Sequence, residues 1–262
     1  RQKRVGVIGR GNVGGRLCRA LEALQVNYLA YDPFLSPNEH PRLCAVEQAL
    51  DCDIICVHTP YTTAGPHPTH HMIGSFQLRH MRPGAILLNA GRAGAIDNRA
   101  LLAHLQADGD LRVVLDVWEN EPDIDLALME VVALGTPHIA GYSYEGKLNG
   151  SAMIHAALAQ FLGMDLEAAA QQRDQLMQRL LGEPVSITCD SLNQAILATY
   201  DINADDERLR RTLTSASPGG VGVAFDQLRK TYPERREFGH YRVISGDAHL
   251  QAQLAAIGFA SP

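Results

Sequence analysis

The stretch RVGVIGRGNVG (Arg4–Gly14) constrains the fold more than any other part of the chain. It places a short apolar run, of the kind that forms a buried strand, directly before Gly9, Gly11 and Gly14 in the spacing G-x-G-x-x-G. A helical pattern follows over Asn12–Leu24, then a second strand pattern, Val26–Asp32, ending in a carboxylate eighteen residues past Gly14. The glycine spacing alone is a weak signal, but inside a strand–helix–strand unit it specifies dinucleotide binding. Gly9 makes the tight turn, Gly11 admits a pyrophosphate close to the backbone, and Gly14 lets helix pack on strand. The amides of Asn12 and Val13 open the helix and attract phosphate charge. Asp32 can accept from both ribose hydroxyls and repels a 2′-phosphate, which favours NAD over NADP.

Further strand patterns run over Asp53–Pro60, Ala85–Gly91 and Arg112–Trp118, with a strand end at Pro137–Gly141. Between them lie helical stretches, among them Asn98–Ala107 with Asp97 as its cap. This alternation predicts an α/β fold, a Rossmann-type doubly wound parallel sheet, followed by a small α+β C-terminal domain. The expected partition is 1–145 for the NAD-binding domain, 146–175 for helices starting near Lys147, and 176–262 for the more charged C-terminal part.

The formal charge of −6 argues against a nucleic-acid partner, which calls for a basic face. No apolar run is long enough for a membrane span. Cys18, Cys44, Cys52, Cys56 and Cys189 read as reduced thiols of a cytoplasmic protein. His67, His70 and His71 crowd one loop, but no carboxylate or thiol accompanies them there, so no metal site is expected. His58 reads as structural.

Three stretches, LLNAGRAGAID, VVLDVWENEPD and GTPHIAGYS, fall at the C-terminal ends of strand patterns, where open α/β sheets bind ligands. Together, over roughly Arg4 to Gly163, they resemble the D-isomer-specific 2-hydroxyacid dehydrogenases. The resemblance implies Arg92, Glu121 and His138 as the catalytic set. The chemistry suits each: a guanidinium fork binds the substrate carboxylate, an imidazole takes the hydroxyl proton as hydride leaves for the nicotinamide, and a carboxylate steadies the imidazolium. Asp116 is placed to bond the nicotinamide carboxamide. Thr59, Pro60, Ala90, Gly91 and Gly141 should line the cofactor, and Tyr142, with Arg92, should reach substrate.

Toward the C-terminus, YDINADDERLRR, FDQLRKTYPERREF and LAAIGF resemble the extra domain of one branch of that family. In that branch the substrate is a small phosphorylated 2-hydroxy acid, oxidised with NAD on the route to pyridoxal 5′-phosphate, and the extra domain makes a homodimer. Arg229, Lys230, Arg235 and Arg236 sit among mixed charges and are not expected to be the phosphate ligands. The resemblance also implies a substrate lobe ahead of the fingerprint, toward which residues 146–175 would return. A fragment of a full dehydrogenase is therefore expected; the other reading is a truncated or non-catalytic dimeric NAD-binding module.

Overall fold

A computed structural model describes residues 3–260. The chain forms two compact units: Arg1–Ile139 with Ile202–Thr231, and Ala140–Asp201 with Tyr232–Pro262. In the first unit the strands β1 (Val5–Ile8), β2 (Tyr28–Tyr31), β3 (Ile54–Val57), β4 (Ala85–Asn89), β5 (Leu111–Leu115) and β6 (Leu134–Gly135) alternate with helices. These are α1 (Asn12–Ala23), α2 (Val46–Leu50), α3 (Ser75–His80), α4 (Asn98–Gln106) and α5 (Leu126–Val131). The chain then builds α6 (Tyr144–Phe161), α7 (Leu166–Leu181), β7 (Val185–Thr188) and α8 (Leu192–Thr199) of the second unit. It returns to the first for α9 (Ile202–Thr214) and α10 (Val221–Lys230), and ends in the second with β8 (Tyr241–Ile244) and α11 (Ala248–Ile257).

The six strands of the first unit are parallel and ordered β2-β1-β3-β4-β5-β6. A single parallel bridge from Ala30 to Leu43 carries the pairing one step beyond β2. Successive side chains on a strand point to opposite faces, and both faces are buried. Ile8, Val57, Leu87 and Leu115 join one apolar cluster; Val5, Val7, Cys56 and Ala30 join another with Cys18 of α1. That is the doubly wound arrangement expected from the sequence. The strand order reverses between β1 and β3, the switch point at which such sheets open a crevice.

Two expectations are corrected. The last strand is Leu134–Gly135, and Pro137–Gly141 is irregular chain beyond it. The C-terminal part is not a continuous block from residue 176, because α9 and α10 belong to the first unit. Leu209, Leu213, Phe225 and Leu228 are buried in the same cluster as Leu87 and Leu115. Asp206 accepts the Gly135 N–H at 2.7 Å, closing the open edge of the two-residue strand β6. Arg210 donates to the carbonyls of Met129 and Val132 at the end of α5. The second unit pairs α6 with α7 and sets β7 parallel to β8. Ser143 and Asp165 cap its two long helices by accepting first-turn N–H groups.

Candidate active site

All six strands of the main sheet reach one line. Register pairs Tyr31 with Ile8, Ile8 with Val57, Val57 with Asn89, Asn89 with Leu115, and Leu115 with Gly135. The residues one step beyond are Asp32, Gly9, His58, Ala90, Asp116 and Thr136. The sequence motifs, scattered over a hundred positions, therefore emerge on a single edge. At about 4.8 Å between neighbouring strands that edge is roughly 24 Å wide.

At the β2-β1-β3 end, Gly9 turns at a φ of +88°, a conformation that favours glycine. A Cβ on Gly14 would collide with the Gly9 carbonyl oxygen, whereas one on Gly11 would meet nothing within 4 Å. The helix is thus packed hard on the strand while the turn stays open for a ligand. Asp32 accepts the Arg10 N–H at 2.9 Å and the Phe34 N–H at 3.1 Å, which fixes its carboxylate. Gly9, Asp32, Thr59 and Pro60 line a cavity of about 680 Å³, a volume suited to a small organic ligand. The Thr59 hydroxyl and both ring nitrogens of His58 are buried without a hydrogen-bond partner. Burial pushes the His58 imidazole below its ordinary pKa, favouring its neutral form. Orphaned polar atoms of this kind beside an open glycine turn fit a polar cofactor that completes them. Gly9, Asp32, Thr59 and Pro60, expected at the cofactor, line the cavity, while His58, expected to be structural, supplies two of the three orphaned atoms.

The β4-β5-β6 end carries the reactive groups. Asn89, fully buried, accepts the Gly91 N–H and donates to the Arg92 carbonyl, shaping the turn that presents Arg92 to solvent. Ala90 and Gly91 form that turn. Asp116 is buried, and its Oδ1 accepts from the Thr136 hydroxyl at 2.6 Å and the Ile139 N–H at 2.7 Å. It therefore holds the chain on both sides of His138. His138 stands at a φ of +55°, with its N–H directed to the carbonyls of Asp116 and Thr136. A non-glycine residue there costs about 1 kcal/mol or more and persists only where surrounding bonds enforce it.

Glu121 is gripped from one side by the Trp118 N–H, which donates to Oε1 at 2.8 Å. Its other oxygen lies 2.7 Å from Nδ1 of His138. A carboxylate can only accept, so Nδ1 carries the proton and Nε2 is the atom left to exchange one. The Glu121 hydrogen bond raises the His138 pKa; partial burial and the Arg229 charge on α10 oppose the rise, and the charges of Glu121 and Asp116 support it. Gly141 and Tyr142, also expected at the site, belong to the second unit. There the Tyr142 ring lies edge-on to Tyr232 and beneath the Lys147 ammonium.

Several supporting residues went unread in the sequence. Asn89, Trp118 and Thr136 lie inside the three stretches, but their place there signals no role. Two carboxylates, absent from the histidine-rich loop in sequence, come to it in space. His71 Nε2 is 2.7 Å from Glu119, and Nδ1 is 3.7 Å from Asp97. The candidate ligand atoms of these three residues lie within 4.8 Å of one another. Nε2 is hydrogen-bonded to Glu119, while Nδ1 stands only at ion-pair distance from Asp97.

The model of the D-isomer specific 2-hydroxyacid dehydrogenase NAD binding domain matches residues 1–140, and that of a domain of unknown function (DUF3410) matches residues 174–258. The chain belongs to the D-isomer-specific 2-hydroxyacid dehydrogenase family. Its first unit contains the family's NAD-binding domain. The chain is 49% identical over 99% of its length to the erythronate-4-phosphate dehydrogenase of Teredinibacter turnerae, covering 69% of that relative. It is 46% identical to that of Saccharophagus degradans, over 98% of this chain and 67% of that one. Among solved structures, D-lactate dehydrogenase with NAD+ from Lactobacillus jensenii aligns with a TM-score of 0.52 at 28% identity, over 63% of this chain and 54% of that one. The Aquifex aeolicus D-lactate dehydrogenase complexed with NAD and lactic acid aligns at 0.51 and 28%, over 63% and 55%. The chain thus spans about two thirds of these curated relatives and about half of these solved chains. No described helix is long and apolar enough to cross a membrane.

Proposed function

We propose that the protein is an NAD-dependent dehydrogenase that oxidises 4-phospho-D-erythronate at its hydroxyl-bearing C2 to the 2-oxo acid, serving pyridoxal 5′-phosphate synthesis in the cytoplasm. The observation that carries the chemistry is the 2.7 Å Glu121–His138 pair, with Glu121 fixed from behind by Trp118. A general base needs an exchangeable nitrogen of suitable pKa and a group that stabilises its charged form. A pure binding module needs neither. The substrate is taken from the similarity to erythronate-4-phosphate dehydrogenases along nearly the whole chain.

When bound, NAD supplies the two-electron acceptor for the hydrogen on C2. Gly9 makes the turn, Gly11 gives the cofactor backbone access, Gly14 packs the helix behind it, Asn12 and Val13 offer amides to its phosphates, and Asp32 holds its ribose. Thr59, Pro60, Ala90, Gly91 and Asp116 complete its contacts. Arg92 binds the substrate carboxylate and orients C2, and Nε2 of His138 takes the hydroxyl proton. Glu121 stays ionised and holds the resulting imidazolium. Two copies pair through the C-terminal domain, a reading supported by exposed Val185, Leu197 and Ile244.

The test is turnover by the full-length protein, followed by NADH absorbance, with 4-phospho-D-erythronate compared with D-lactate. A preference for the phosphorylated acid, lost in His138→Asn while NAD binding persists, is expected. An equal or greater rate on D-lactate would reject the substrate, and wild-type turnover by His138→Asn would reject the base.

A further inference from the structure

Two histidine–carboxylate pairs hang from one short turn. Residues 118–121 carry Glu121 to His138 and Glu119 to His71. Asn120, at a φ of +64°, turns the chain between the two glutamates. Glu119 is also bonded twice to Asn98 at the start of α4. Its Oε2 accepts the Asn98 N–H at 2.9 Å, and its own N–H donates to Asn98 Oδ1 at 3.0 Å. Asn98 is buried, and its Nδ2 donates to the Ile96 carbonyl, so the anchor is rigid.

His71 brings in a third segment. It belongs to the loop after β3, whose residues Thr62, His67, Thr69 and Met72 line the cofactor cavity. Its N–H donates to the Gly94 carbonyl at 2.7 Å, and Ile73 bridges to Ile96. The ionisable groups around its ring are Glu119, Asp97 and the stacked ring of His70, which in turn meets the Tyr61 hydroxyl at 3.1 Å.

We propose that Glu119, held by His71 and Asn98, is a positioning residue for the reaction: it fixes the turn that presents Glu121 to His138 and ties that turn to the loop lining the cofactor cavity. The effect runs through the backbone. The Trp118 N–H that grips Glu121 belongs to the residue just before Glu119, so releasing Glu119 loosens the donor and the carboxylate together. Groups aligned to within a fraction of an ångström need such outer support. The tie also links two events. A cofactor that orders the loop also steadies the acid–base pair, and the coupling works equally in reverse. This inference rests on reading the cavity as the NAD site and His138 as the base.

The test uses the full-length enzyme with isotope-labelled histidine, the His138 resonance being assigned by its loss in His138→Asn. NMR titration then gives the His138 pKa directly, without turnover. In Glu119→Gln that pKa is expected to fall by about half a unit or more, because the Glu121 bond is less well aligned. The kcat is expected to drop about tenfold with substrate KM changing less, and NAD affinity to weaken severalfold. His71→Gln, a change on a partly exposed loop side chain, should move all three the same way, and the double variant should fall short of the sum. If Glu119→Gln does not fold, His71→Gln carries the test. A variant that melts earlier yet keeps the wild-type His138 titration and kcat would show a structural tie only and overturn the proposal. A wild-type enzyme inactive on the phosphorylated acid would count against the proposed function, while the titration would still decide this inference.

Discussion

Replacing Glu121 with Gln removes one charge and leaves the shape of the site nearly unchanged. The carboxylate lies 2.7 Å from His138 Nδ1, so the charge centres are roughly 4 Å apart. At that distance a pair near a protein surface interacts by about 4 kcal/mol. The His138 side chain is 35% exposed and that of Glu121 20%, so solvent screens much of this. The discounted interaction is roughly 1–2 kcal/mol, and its direction is to raise the His138 pKa. The sign follows from the role. As a base in oxidation His138 must be neutral, so kcat/KM for the hydroxy acid rises with pH through its raised pKa. In the reverse direction it must be protonated, and the rate falls through the same pKa. In Glu121→Gln both limbs should move toward acid, and kcat should drop roughly ten- to thirtyfold. The assay is the pH profile of the full-length enzyme in both directions. Limbs that stay in place in the variant would refute Glu121 as the cause of the raised pKa. Stability carries the same signature. The contribution of the pair is present below the ordinary histidine pKa and is lost as pH rises through the raised one.

Asp32→Asn loses the charge and, because an amide nitrogen cannot accept, keeps only one of the two backbone bonds from Arg10 and Phe34; NAD binding should weaken on the order of tenfold, and NADP should be discriminated against less, with an unchanged fluorescence titration of both cofactors sinking the ribose assignment. Asp206→Ala leaves the buried Gly135 N–H without its acceptor and Arg210 without its carboxylate, so stability should fall by about 1–3 kcal/mol; a melting temperature within error of wild type would show that the β6 edge needs no such closure.

The local chemistry of this protein was written in short stretches. A strand, three glycines at fixed spacing, a helix and a terminal aspartate leave a chain few options, because turn geometry, phosphate approach and strand burial are settled within about thirty residues. The same holds for Asp97, which caps α4 by accepting the Ala100 N–H, as its place before a helical pattern foretold. Glu121 and His138, read from separate motifs, meet in the fold, and the parallel register explains why these motifs and that of Arg92 share one edge.

What the chain could not announce depends on partners far apart in sequence. Helices α9 and α10 read as part of a charged C-terminal block because Asp206 and Arg210 look like surface residues. In the fold their charges serve backbone groups at the edges of β6 and α5, while the apolar side of α9 closes the main core. The loop histidines looked unaccompanied because Glu119 lies 48 residues from His71. Asn89 and Thr136 had no signal, since a buried amide or hydroxyl gains its role only from the groups that tertiary packing brings to it. Periodicity and spacing act along the chain and can be read there; the satisfaction of buried polar groups is a condition on the whole fold, and only the tertiary structure shows how each one is met.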